Sequence, residues 1–220
     1  MSHFKTQLDP NSRHKDAYIG CIVVQGQSKK EYIEEIKRGW AGFQIIFSTW
    51  DDTDTSLYSP EDIVIYNPYP DDRGTANLGY QKVSTRNGFL KARELGWDRA
   101  VKWRSDQWPK NGIEFHKLFT DGALNLYAWM AHNGGYMNDY FMEGDIQSVI
   151  DLFDVPSECS FPEKNLTQSL FEKGLNPNAR CIVKGVKGER DVYSGKWERW
   201  FGDFSESDLY TEEIPAEWNP

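Results

Sequence analysis

The sequence predicts an α/β fold: a single domain with a mixed, mostly parallel sheet flanked by helices. Three observations carry this. Strand-length apolar runs alternate with helix-period patterns through the first half, in the order β-α-β-β-α-β, and parallel strands need such crossovers. The chain has 220 residues, long enough for one sizeable core. Its hydrophobic share of 39% and charged share of 27% are those of a globular rather than a disordered chain.

The first run, "AYIGCIVVQG" (Ala17 to Gly26), is continuously apolar, the pattern of a buried strand. Ser28 then reads as an N-cap, with Glu31 three residues on as its capping-box partner. Tyr32, Ile33, Ile36 and Trp40 form an apolar stripe along that helix. "FQIIFSTW" (Phe43 to Trp50) and "DIVIYNP" (Asp62 to Pro68) are the second and third strands. A long helix runs from about Asn77 to Leu95 and stops at Gly96, a residue suited to the C′ position. "RAVKWRSD" is the fourth strand, emptying into a polar turn.

The second half is less regular. "NGIEFHKLF" reads as a short helix, and "ALNLYAW" and "GYMNDYFM" as strands around the turn "HNGG", the makings of a hairpin. Asp145 caps a helix through Phe153. Ser160 and Glu163 box another, ending at Gly174. "ARCIVKGV" is a late strand, and the tail from Asp203 is acidic and expected to be loosely held. No internal repeat or domain-dividing linker is present.

A net charge of −9 argues against nucleic acid as a partner, because phosphate contacts need clustered Lys and Arg. No run approaches the roughly 18 apolar residues of a membrane span, which leaves only peripheral association. The N-terminal stretch has no apolar signal-peptide core. Cys21, Cys159 and Cys181 are odd in number, far apart and without zinc spacing, which suits a reducing cytoplasm. There the sequon at Asn165 would go unused. The aromatic share of 15%, with nine Trp, serves either core filling or the stacking of sugar rings.

Two patterns carry chemistry. On the long helix, Asn77, Gln81, Ser84, Thr85 and Gly88 fall on one arc of roughly 100°, opposite Lys82, Arg86 and Arg93. An uncharged polar stripe facing inward needs partners, either neighbouring loops or a ligand, and Gly88 admits a close approach to the backbone. Ligands of open α/β sheets sit outside the strands' carboxyl ends. Those ends collect Gln25, Ser48, Thr49, Asp51, Asp52, Asn67 and Asp106. Asp106 is either a turn former or a metal-binding carboxylate.

The order "VVQG", "IIFSTW", "NLGYQKVSTRNGFLKA", "VKWRSDQ", "NDYFMEGD" and "FPEKNL", from about Ile19 to Leu170, resembles the WavE-type lipopolysaccharide-synthesis family. That family is allied to nucleotide-sugar glycosyltransferases of the GT-A-like, Rossmann-like fold. The resemblance implies transfer of a sugar, from a donor read as UDP-linked, onto a glycan acceptor. It implies a nucleotide-sugar-binding half at about 17–110, an acceptor half at about 111–202 and an acidic tail at 203–220. It puts Asp106 in place of the DXD ligand for Mn²⁺ or Mg²⁺; taken with the strand ends and the helix stripe, the expected donor-site residues are Gln25, Thr49, Asp51, Asn77, Gln81, Gly88, Lys102, Arg104, Ser105 and Asp106. The motif here is "RSD", with Arg104 where such enzymes have their first carboxylate.

The leaving diphosphate needs a dication or Lys/Arg to balance its charge. Lys102 and Arg104 share one strand face, opposite Trp103, and point at either phosphate or solvent. An inverting transfer also needs a carboxylate base. Asp139 ranks first as an acid placed mid-strand, ahead of Glu163, Asp145 and Glu143. Two other readings are a sugar-nucleotide pyrophosphorylase, which wants a glycine-rich loop that "VQGQSKKE" does not supply, and a non-catalytic glycan-binding protein using its Trp residues.

Overall fold

The computed structural model describes residues 17–106, 108–109, 112–116, 124–129, 136–154, 162–175, 178–182 and 209–211. The first half comprises β1 (Cys21–Gln25), α1 (Lys30–Gly39), β2 (Gln44–Trp50), β3 (Ile63–Asn67), α2 (Leu78–Glu94) and β4 (Arg99–Arg104). The second adds α3 (Gly112–His116), β5 (Leu124–Trp129), β6 (Tyr136–Asp145), α4 (Ile146–Phe153), α5 (Pro162–Glu172), β7 (Asn178–Ile182) and β8 (Leu209–Thr211). All described strands join one sheet in the order β3-β2-β1-β4-β6-β5-β7-β8. From β3 to β4 every neighbouring pair is parallel. β6 is antiparallel to both β4 and β5, and β7 returns parallel to β5. This is the mixed, mostly parallel sheet flanked by helices that the sequence predicts.

Alternate residues of the central strands feed two cores. Cys21, Val23 and Ala100 pack with Phe89 and Ala92 of α2 and with Val149, Ile150 and Phe153 of α4. Ile22, Val24, Val101 and Trp103 pack on the other face with Ile33, Ile36 and Trp40 of α1. Both faces are covered, so these strands are apolar at successive positions instead of alternating.

Two expectations change. Ser28 does not cap α1. Lys29 takes the N-cap position without a side-chain bond, and the Ser28 hydroxyl donates instead to the Ser105 carbonyl at 2.7 Å. A buried tertiary acceptor outcompetes a solvent-exposed cap, since a buried hydroxyl must be satisfied. The acidic tail is not wholly loose: Leu209–Thr211 pairs antiparallel with β7. The Asn165 sequon lies on α5 and is buried, closed to any modifying enzyme. The predicted hairpin is present as the β5–β6 pair, with a register shift between Leu126 and Ala128. Its "HNGG" turn and Ser160 lie outside the described residues. No described helix is long and apolar enough to cross a membrane.

Candidate functional site

The chain passes from β1 to β2 and β3 on one side, then crosses through α2 to β4 on the other side of β1. The direction of winding therefore reverses between β1 and β4. In open α/β sheets the carboxyl ends of two such strands are where a ligand crevice is expected. Register brings Gln25 beside Ser48 on one side and Arg104 on the other.

The floor of this crevice is rigid. The Ser105 hydroxyl donates to the Gln27 carbonyl at 2.7 Å, and Ser28 returns the bond to the Ser105 carbonyl at 2.7 Å. Ser105 N–H adds a bond to the Gln25 carbonyl, and Gly26 N–H one to Ser48. Gly26 has φ +97°, and a Cβ there would sit 3.2 Å from the Ser105 hydroxyl. A glycine suits this turn on both counts.

Arg104 and Asp106 dominate the electrostatics. Nε and Nη2 of Arg104 donate to the two carboxylate oxygens of Asp106 at 2.9 and 2.6 Å. Partial burial pushes the Asp106 pKa up, but the Arg104 hydrogen bonds and charge, its own backbone N–H and the charge of Lys102 outweigh that. The carboxyl therefore lies below its ordinary range. A divalent cation at Asp106 would have to compete with the Arg104 fork. Both oxygens of the carboxylate are held by a guanidinium, and no three His, Cys, Asp or Glu side chains converge among the described residues.

Behind the crevice, the polar stripe of α2 meets β2 and β3. The Ser48 hydroxyl donates to the Ser84 carbonyl at 2.7 Å, and Asn67 Nδ2 donates to the Ser48 hydroxyl and the Thr49 carbonyl at 2.9 and 2.6 Å. Asn87 closes the chain by donating to Asn67 Oδ1 at 2.8 Å. The Ser84 hydroxyl turns back to the Tyr80 carbonyl at 2.8 Å, and the buried Thr85 hydroxyl has no hydrogen-bond partner among the described residues. Gly88 is corrected: a Cβ there would lie 2.3 Å from Val23 Cγ1, so the close approach is that of the sheet. Gln81, seven residues earlier on the same helix face, lies about 10 Å further along α2, beyond the carboxyl end of β1. Its buried Oε1 has no hydrogen-bond partner.

The remaining candidates separate. Thr49 is buried and bonded hydroxyl to hydroxyl with Thr53 at 2.8 Å, closed to a donor. Lys102 is fully buried, its ammonium 5.8 Å from the Phe153 ring centre, so it points at neither phosphate nor solvent. Asn77 is exposed in the left-handed conformation, φ 67°, and takes a hydrogen bond from Arg73. Asp51 is exposed on the rim, with its N–H bonded to the Asn67 carbonyl. Asp139 lies on β6 three residues before Met142, which faces Lys102. Because β6 is antiparallel to β4, Asp139 sits toward the carboxyl end of β4. Asp145 faces Arg99 at the other end of β4, roughly 17 Å away at about 3.3 Å per residue. It caps α4 through Ser148 at 2.9 Å and is removed from the catalytic candidates. Glu143 is forked to Arg99 at 2.7 and 2.6 Å and is spent there. Glu163 stands in the first turn of α5, which packs on β6.

Sequence reasoning missed an aromatic ledge at the same edge. Tyr69 stacks on Trp50 at 4.8 Å and 16°, and Tyr80 tilts against both. The Tyr69 hydroxyl donates to Asp52 at 2.9 Å. Desolvation and that carboxylate push its pKa up to about 12. The one available signal was phase: Tyr80 lies beside Ser84 on the helix, just off the stripe. A cavity of about 210 Å³ opens elsewhere, at the amino ends of β2 and β3 between Lys37, Gln44 and Asp62. It lies at the opposite end of the strands and takes no part in the crevice.

No family model matches the chain, and no curated protein matches it. A solved structure from Desulfovibrio desulfuricans G20, provisionally named a nucleotide-diphospho-sugar transferase, superposes with TM-score 0.52 at 12% identity, covering 84% of this chain and 99% of that one. The glycosyltransferase GlyE of Streptococcus pneumoniae TIGR4 gives 0.45 at 11% identity, over 84% of this chain and 51% of its own. The bifunctional IspDF of Campylobacter jejuni gives 0.46 at 8%, over 73% and 48%. This chain spans about half the length of those last two, and their scores are too low to carry an argument. The first likeness shows the fold alone, shared with that structure, and none of these three structures points to the WavE-type family.

Proposed function

We propose that the chain is a glycosyltransferase moving a sugar from a nucleotide-sugar donor, read as UDP-linked, to a glycan acceptor. The WavE-type resemblance supports a role in cytoplasmic synthesis of surface polysaccharide or glycoprotein glycan. One observation carries the reading: the reversal of winding between β1 and β4, with Gln25, Arg104 and Asp106 together at that strand edge. An open α/β sheet holds its ligand at such a point. Gln81 Oε1, buried and without a hydrogen-bond partner, would need a side-chain rotation to accept from a donor hydroxyl or N–H.

In the reaction, an acceptor hydroxyl attacks the anomeric carbon of the donor sugar. The bond from that carbon to the diphosphate oxygen breaks, and its electron pair leaves with the diphosphate. Arg104 balances the charge that develops. The hydroxyl proton passes to a carboxylate, Asp139 ahead of Glu163. The pyrophosphorylase reading loses ground, because the loop after β1 is pinned by the Ser28–Ser105 bonds and spends Gly26 N–H on Ser48.

A thermal-shift screen of nucleoside diphosphates and sugar nucleotides tests this. One nucleotide family should stabilise the protein, by about 2.7 kcal/mol at a hundredfold excess over Kd. Stabilisation by oligosaccharides alone, with every nucleotide silent, would favour the glycan-binding reading instead.

A further inference from the structure

We infer that the donor crevice works without a metal: Arg104, held in plane by Asp106, is itself the counter-charge for the diphosphate. This rests on the nucleotide-sugar reading and deepens it. Both oxygens of Asp106 accept from Arg104, at 2.9 and 2.6 Å, so a divalent cation bound through that carboxylate would have to share it with, or displace, the guanidinium. Such forked, charge-assisted pairs are among the stronger hydrogen bonds, and a dication in that place would also face the guanidinium charge. Among the described residues no three His, Cys, Asp or Glu side chains come together as a protein-only cation site. Asp52 is turned to Tyr69 on the β3 side, and Glu143 is forked to Arg99. Arg104 has the opposite aptitude. Its side chain keeps 30% of its surface exposed at the strand's end. With Nε and Nη2 given to Asp106, a phosphate oxygen would meet the exposed remainder of the guanidinium. Asp106 is then a positioning residue: it fixes the guanidinium plane, and the diphosphate takes its charge from Arg104.

The test is equilibrium binding of UDP, GDP, ADP and CDP to the whole chain, each in EDTA and in MnCl₂, with the tightest ligand carried forward. The expected result is one dissociation constant in both conditions, and one weakened about tenfold or more by Arg104→Gln. Arg104→Lys should recover part of the loss, since the charge returns without the fork. Asp106→Asn should weaken binding in EDTA as well, which a pure metal ligand would not do. Far-UV circular dichroism checks that each variant is folded, and Arg104→Lys stands in if Arg104→Gln is not. Binding only with Mn²⁺, or about tenfold tighter with it, would overturn the inference while leaving the donor site intact. Equal binding in both conditions with Arg104→Gln and Arg104→Lys unaffected would remove Arg104 from the role. No nucleotide binding in either condition would overturn the donor-site reading, and this inference with it.

Discussion

Gly88 shows how far a single position can be read. Its place on an inward stripe identified a close approach to the helix backbone, but periodicity does not name what approaches. The structure answers with Val23 Cγ1, 2.3 Å from where a Cβ would stand, and Ser48 Cβ at 3.3 Å. Gly88→Ala should therefore destabilise the fold by roughly 1–3 kcal/mol of overpacking, less about 1 kcal/mol gained in helix propensity. Urea denaturation would measure it, and Val23→Ala in the same chain should recover much of the loss. If Gly88→Ala stabilises the protein, the helix does not rest on Val23. Asp62 gives a pH signature at the opposite end of the sheet. Burial raises its pKa, but Lys37 at 2.9 Å and the Ser59 N–H at 2.8 Å more than offset this, and the net shift is downward. A carboxyl depressed on folding stabilises above its unfolded value of about 3.9 and loses that contribution as pH falls through the folded value. Asp62→Asn should thus lower stability at neutral pH, by about 1 kcal/mol given that Lys37 reaches solvent, and match wild type in strong acid. A deficit that persists unchanged in strong acid would show that the charge is not the cause. The Arg104–Asp106 pair joins the last strand residue to the turn that follows it, opposite charges two residues apart in the sequence. The spacing was compared with a metal motif and not weighed as an ion pair.

At the scale of elements, the strands and α2 were legible because their signals are local. The apolar runs became β1, β2, β3 and β4 within a few residues of their expected ends, and α2 spans Leu78–Glu94 with Gly96 at φ +86° just beyond. What was not legible depends on partners distant in sequence. Ser28 looked like a cap because Glu31 stands three residues on, whereas its bond runs to a carbonyl 77 positions away. The tail looked loose because its composition is acidic, whereas Leu209–Thr211 finds a strand edge on β7. The aromatic ledge of Trp50, Tyr69 and Tyr80 joins a strand end, a loop and a helix, and no single periodicity contains all three. The reciprocal serines make an element-level expectation. Ser28→Ala and Ser105→Ala should each lower stability by about 1 kcal/mol, because each removes one buried bond of the pair that ties the β1 and β4 loops together. Their double variant should lose less than the sum, as neighbours sharing partners do. Strict additivity in chemical denaturation would mean the two bonds do not act as one clasp.

Across the whole molecule, function hangs on topology. Four parallel strands with one reversal of winding direct their carboxyl ends to one edge, and the reversal falls where Gln25, Arg104 and Asp106 lie. The alternation of elements in the sequence carried the layers of this fold. It did not carry the strand order, which is decided by which side of β1 the crossover through α2 returns to. The opposite edge holds a cavity of its own beside Lys37 and Asp62, so the location of a bound nucleotide is a real choice between two ends of one sheet. Hydrogen exchange read by mass spectrometry, with and without the nucleoside diphosphate that stabilises the protein, makes that choice directly. The expected result is slowed exchange at the β1 and β4 ends, residues 25–28 and 104–106, and in the first turns of α2, with no change at 37–45 and 61–63. Protection confined to 37–45 and 61–63 would contradict the account and place the ligand at the other edge.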